Sequence, residues 1–118
     1  MYVDSLIFRI NRVVRAVEVA SGMSELDHKS RSILTFIADA ELRRRVVRVT
    51  DVTKVADFGT APTVYAHIRK LEGGGWIRCV PDPNDGRVKR LLLTSLARNA
   101  FAKMSFEART VLARKAKN

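Results

Sequence analysis

The chain has 118 residues, one domain's worth, with 22 Lys and Arg against 12 Asp and Glu and a formal net charge of +10. Hydrophobic residues make up 47%, too many for a disordered basic tail. One cysteine (Cys79) and two histidines (His28 and His67) exclude a disulfide scaffold and a Cys-cluster zinc site, and the length excludes a large multidomain enzyme.

Apolar residues Val3, Ile7, Ile10, Val14 and Val17 recur at helical spacing and predict a helix over about 4–21. Asp4 or Ser5 caps it and Ser21-Gly22 end it. Arg9, Arg12 and Arg15 interrupt the apolar run, so no export leader or membrane span is expected, and the cytoplasm, beside the nucleoid, is the expected location. A second helix starts from the capping-box-like Ser24-Glu25-Leu26-Asp27 and reaches about Leu42, with Leu26, Ile33, Leu34, Ile37 and Ala38 inward. Arg43 to Val49 is crowded with β-branched residues and reads as a brief strand or extended link. Thr50 caps a short helix from Asp51 to Asp57, with Val52, Val55 and Ala56 inward and the small Ala56 at a close helix crossing.

Phe58-Gly59 makes a turn, and Thr60 caps the next helix, with Pro62 in its first turn. That helix runs to about Glu72 on a buried stripe of Val64, Ile68 and Leu71, and Gly73-Gly74-Gly75 stops it. Trp76–Val80 and Arg87–Leu93 read as two strands joined through Pro81-Asp82-Pro83-Asn84-Asp85-Gly86. Thr94 caps a last helix whose stripe is Ala97, Ala100, Phe101, Met104, Ala108, Val111 and Leu112, and the basic tail from Arg114 to Asn118 is expected to fray.

This order is mainly α with a small β-hairpin wing: one winged helix-turn-helix domain over 1–118, with its lobe at 24–94. The terminal helices, 1–22 and 95–118, carry apolar faces that a small lobe does not cover, so a homodimer is expected. Leu6, Ile7, Ile10, Val14, Val17, Phe101, Met104, Ala108 and Val111 would line its interface.

The charge is uneven: residues 60–118 hold 12 Lys or Arg against 4 Asp or Glu. A basic surface attracts polyanions, nucleic acid first. A major groove about 12 Å wide admits one helix, and the second helix of the motif would offer Thr60, Thr63, Tyr65, Ala66, His67, Arg69 and Lys70 to base edges and phosphates of double-stranded DNA. In the wing, Asp85 precedes Arg87, with Lys89 and Arg90 following. An Arg at a hairpin tip suits the negative potential of a narrow minor groove, and a carboxylate two residues earlier fixes its direction. His67 lacks a second ligand at i+3 or i+4, so no metal is expected, and no cofactor is implied. There is no nucleophile–base pair, carboxylate pair or phosphate-cradling loop, so no enzyme is expected. A small-molecule effector has no residue set to support it.

Between Val49 and Thr94 the chain resembles the MarR family of bacterial winged-helix regulators. The resemblance rests on the helix-turn-helix, on Leu71-Glu72 followed by Gly75-Trp76-Ile77, on Asp82-Pro83-Asn84-Asp85-Gly86-Arg87 and on Leu93-Thr94. It implies a homodimer that binds pseudo-palindromic DNA and usually represses a promoter. It also implies that Arg87 contacts the minor groove with Asp85 supporting it. The chain departs from the family in Ser95-Leu96-Ala97-Arg98, where Gly is frequent, and in Ala66 and Cys79, where basic residues are frequent. It also has room for one C-terminal helix where the family has two. The alternative is a winged helix used for protein–protein interaction or as an architectural nucleic-acid-binding module.

Overall fold

The computed structural model describes residues 5–117, with side chains to Arg114. The chain divides into two compact units, Asp27–Arg98 and Met1–Leu26 with Asn99–Asn118. The elements are α1 (Ser5–Ser21), α2 (His28–Leu42), β1 (Val47–Arg48), α3 (Val49–Thr53), α4 (Ala61–Gly73), β2 (Ile77–Pro81), β3 (Lys89–Leu93) and α5 (Ser95–Lys117). The fold is a winged helix-turn-helix: α3 and α4 form the motif, and β2 and β3 form the wing.

The sheet order is β1-β3-β2, antiparallel throughout, with Val47 opposite Leu91 and Ile77 opposite Leu93. These four residues are buried and share the lobe core with Ile33, Leu34 and Ile37 of α2, Val52 of α3, and Val64, Ile68 and Leu71 of α4. Phe58 closes the core edge-on against Phe36, with ring centroids 5.7 Å apart. The hairpin continues one pair beyond the strands, because Asp82 N–H donates to Val88 C=O at 2.8 Å. Thr94 caps α5 as expected: its Oγ1 accepts from Ala97 N–H at 3.3 Å and donates to Gly75 C=O at 2.6 Å.

Three expectations about helix ends are corrected. Ser24-Glu25 does not start α2. Gly22, at φ 87°, turns the chain into a short 3-10 segment over Met23–Glu25, Leu26 is extended, and Asp27 caps α2 by accepting from Ser30 N–H. Thr50 does not cap α3 but lies inside it. The residue before the helix is Arg48, whose N–H donates to the Asp51 carboxylate at 2.8 Å. The expected helix from Asp51 to Asp57 breaks after Thr53, because Val55 is extended and only a 3-10 turn, Ala56–Phe58, follows. Ala56 is therefore exposed and sits at no helix crossing. Near the termini, Leu112 is exposed, and α5 continues to Lys117 where fraying from Arg114 was expected. Val3, the Asp4 cap and Asn118 lie outside the described residues.

Candidate nucleic-acid interface

The inward stripe of α4 decides what its other side offers. With Val64, Ile68 and Leu71 buried, Thr63, Tyr65, Arg69 and Lys70 are exposed, and Tyr65 shows 41% of its surface. Thr60 and Thr63 exchange a hydroxyl contact at 3.1 Å across the first turn. Gly59, at φ 95°, sets the approach to that turn. Ala66 is half-buried. His67 turns inward, with its side chain 14% exposed, toward the start of α2. Ser30 Oγ donates to Asp27 Oδ1 at 2.7 Å, which commits the hydroxyl proton. The imidazole Nδ1–H therefore donates to Ser30 Oγ at 2.9 Å and lies 3.3 Å from Asp27 Oδ2. The Ser30 hydroxyl bond, ahead of the nearby His67 and Lys70, holds the Asp27 carboxyl below its ordinary range. The histidine thus seats α4 on α2, while five of the seven expected residues, Thr60, Thr63, Tyr65, Arg69 and Lys70, share the exposed side.

At the wing tip, the Arg87 side chain is 92% exposed. Asp85 holds the residue by one backbone and two guanidinium contacts: Oδ1 accepts from the Arg87 backbone N–H at 3.1 Å and from Nε at 3.2 Å, and Oδ2 accepts from Nη2 at 3.4 Å. Lys89 is exposed at the start of β3. Arg90 is more enclosed, and its Nε donates to Asp82 Oδ2 at 3.0 Å. Arg48 Nε reaches the same oxygen at 3.1 Å, and Asn84 N–H donates to Asp82 Oδ1 at 2.8 Å. Sequence reasoning missed Arg48 and Asp82. Asp82 stands beside the wing turn in the sequence, but Arg48 joins it only through the β1–β3 register, which no local pattern announces.

The Asn84 amide, then the Arg90 guanidinium, hold the Asp82 carboxyl down to about 2 from an ordinary 3.8. A folded-state value below the unfolded one contributes stability above about pH 4, lost as pH falls toward 2. Urea midpoints measured across that window should fall less steeply for Asp82→Asn than for the wild type. Equal slopes would contradict the assignment.

Cys79 is half-buried in β2, and burial, then the Glu72 carboxylate, pushes its thiol up to about 11. It stays protonated at neutral pH, which fits a strand residue and not a thiolate switch. Among the described residues, no group of three or more His, Cys, Asp or Glu could hold a metal ion. No described helix is long and apolar enough to cross a membrane.

In the terminal unit, the residues expected at a dimer interface divide by exposure. Val17 and Val111 are buried, Leu6, Ile10, Val14, Phe101, Met104 and Ala108 are half-buried, and Ile7 is exposed. Outside that set, Val19 and Phe106 are more exposed than Ile7, and Phe8 is exposed to nearly the same degree.

No family model matches the chain, and no curated protein matches it. Solved structures do. The transcriptional regulator Tm0710 from Thermotoga maritima superposes with a TM-score of 0.69 at 18% identity, over 96% of this chain and 74% of that one. The YusO protein from Bacillus subtilis gives 0.59 at 16% identity, over 94% and 73%. The heme sensor protein PefR from Streptococcus agalactiae gives 0.62 at 14%, over 93% and 73%. The chain shares their fold.

Proposed function

We propose that the protein is a sequence-specific double-stranded DNA-binding transcriptional regulator of MarR type that acts as a homodimer and represses. The observation that carries the reading is Arg87: a 92% exposed guanidinium, aimed by Asp85 at the tip of a wing on the same lobe as an exposed Thr, Tyr and Arg face of α4. Arginines held in this way suit a minor groove, while α4 suits the adjacent major groove. The excess of Lys and Arg in residues 60–118 supplies the sequence-independent attraction. Solved structures of like fold include one described as a transcriptional regulator and one described as an adhesin competence repressor, which supports the same reading.

Apolar side chains that water should not keep support the dimer. Ile7, Phe8 and Val19 on α1 and Phe106 and Leu112 on α5 are each 47% exposed or more. Two-fold symmetry would set two recognition helices about 34–36 Å apart, one turn of DNA. Sedimentation should give a dimer for the wild type and a monomer for Phe106→Glu, and a monomeric wild type would contradict the homodimer. Repression is what the family resemblance implies: a dimer seated on a promoter would exclude polymerase. Selection from random duplexes tests the whole reading. A palindromic consensus is expected, and a pool without enrichment would overturn it.

A further inference from the structure

Arg48 and Arg90 are direct cross-strand partners in β1 and β3, so their side chains leave the same face of the sheet. Like charges placed directly opposite repel, and an uncompensated pair would weaken the sheet. Asp82 resolves this, since its one oxygen Oδ2 accepts from both Nε atoms, at 3.1 and 3.0 Å. The carboxylate is itself immobilised. It is 4% exposed, its Oδ1 accepts from Asn84 N–H, and its own N–H closes the wing.

The binding chemistry is in what Asp82 leaves free. A guanidinium carries five N–H donors, and each arginine spends its Nε on Asp82, so the Nη groups of both remain to donate. The side chains are 41% and 25% exposed, each anchored through its Nε. Two cations on one carboxylate leave the group with a net charge of +1. Arg48 immediately precedes α3, and Asp82 closes the loop that carries Arg87, so the group joins the helix-turn-helix to the wing.

We propose that Arg48 and Arg90, aligned by Asp82, form a fork that grips one backbone phosphate of duplex DNA at the root of the wing. This rests on the DNA-binding reading above. The two non-bridging oxygens of a phosphodiester match two guanidinium groups held side by side. Asp82 is a positioning residue that touches no DNA.

The test uses the full-length protein and one duplex that the wild type retains, with affinity measured against salt and folding checked by thermal melting. Arg48→Gln and Arg90→Gln should each weaken binding about tenfold. Each should also flatten the log K against log salt slope by about 0.9, the value for one phosphate. The double variant should flatten it by the same amount, because both arginines grip one group. Asp82→Asn should weaken binding although it removes a negative charge, and Arg48→Lys should weaken it although it keeps a positive one. An unchanged slope in the double variant overturns the fork, as does a loss of about 1.8, which would mean two separate phosphates. Tighter binding by Asp82→Asn also overturns it. If Asp82→Asn does not fold, Arg48→Lys decides, and wild-type affinity there overturns the fork. A wild type that retains no duplex overturns the DNA-binding reading and the fork together, whereas a failing fork with a binding wild type leaves that reading intact.

Discussion

Leu71→Ala is expected to cost the lobe about 2–5 kcal/mol, since a fully buried Leu leaves a cavity that its neighbours only partly refill. Small domains hold only about 5–15 kcal/mol in total, so this one change removes a large share. The position matters because Leu71 is the last residue of the stripe Val64, Ile68 and Leu71 that seats α4 in the lobe core. The exposed Tyr65 and Arg69 take their direction from that seating. Urea unfolding measures the cost, and a loss below about 1 kcal/mol would mean that α4 is seated by something else.

Arg87→Ala should leave folding nearly untouched and weaken duplex binding about tenfold, or roughly 1.4 kcal/mol. The side chain is 92% exposed, and an exposed pair such as Asp85–Arg87 is worth about 0–1 kcal/mol to stability. Its value lies in direction. Two contacts to Asp85 aim the guanidinium before any DNA arrives, and a third holds the Arg87 backbone N–H, so less rotamer freedom remains to be lost on binding. The loss should be larger on duplexes with A·T-rich flanks, where the minor groove is narrow and most negative. An equal loss on all sequences would reduce Arg87 to a plain phosphate contact. Arg87→Lys keeps the charge but not the forked geometry, and should fall between the two.

Much of the lobe was legible because its signals are local. The Gly73-Gly74-Gly75 stop, the Thr94 cap and the turn between β2 and β3 each follow from residues within a few positions of one another. So does the Asp85–Arg87 pair. What escaped depends on distant partners. Asp27 caps α2 in place of Ser24 because Gly22 and Leu26 redirect the chain first. The helix expected through Asp57 ends at Thr53, where Val55 turns extended and Phe58 reaches the core. His67 stands beside the stripe of Val64 and Leu71 and was expected to reach base edges or phosphates, yet Ser30 and Asp27, some forty residues earlier, draw it in. Arg48 and Asp82 show the same limit, since their meeting is a fact of strand register. In the terminal unit, heptad-like spacing picked out Val17 and Val111, which are buried, and passed over Phe8 and Phe106, which are not.

We propose that the exposed side of α4 and the tip of the wing meet a DNA duplex. Affinity of the wild-type protein for a duplex carrying its selected palindrome, measured across a salt series, tests it most directly. Log K should fall linearly with log salt, with a slope of about −0.9 for each phosphate gripped. A specific complex should survive at physiological salt. A slope near zero, or no retention of any duplex at low salt, would contradict it.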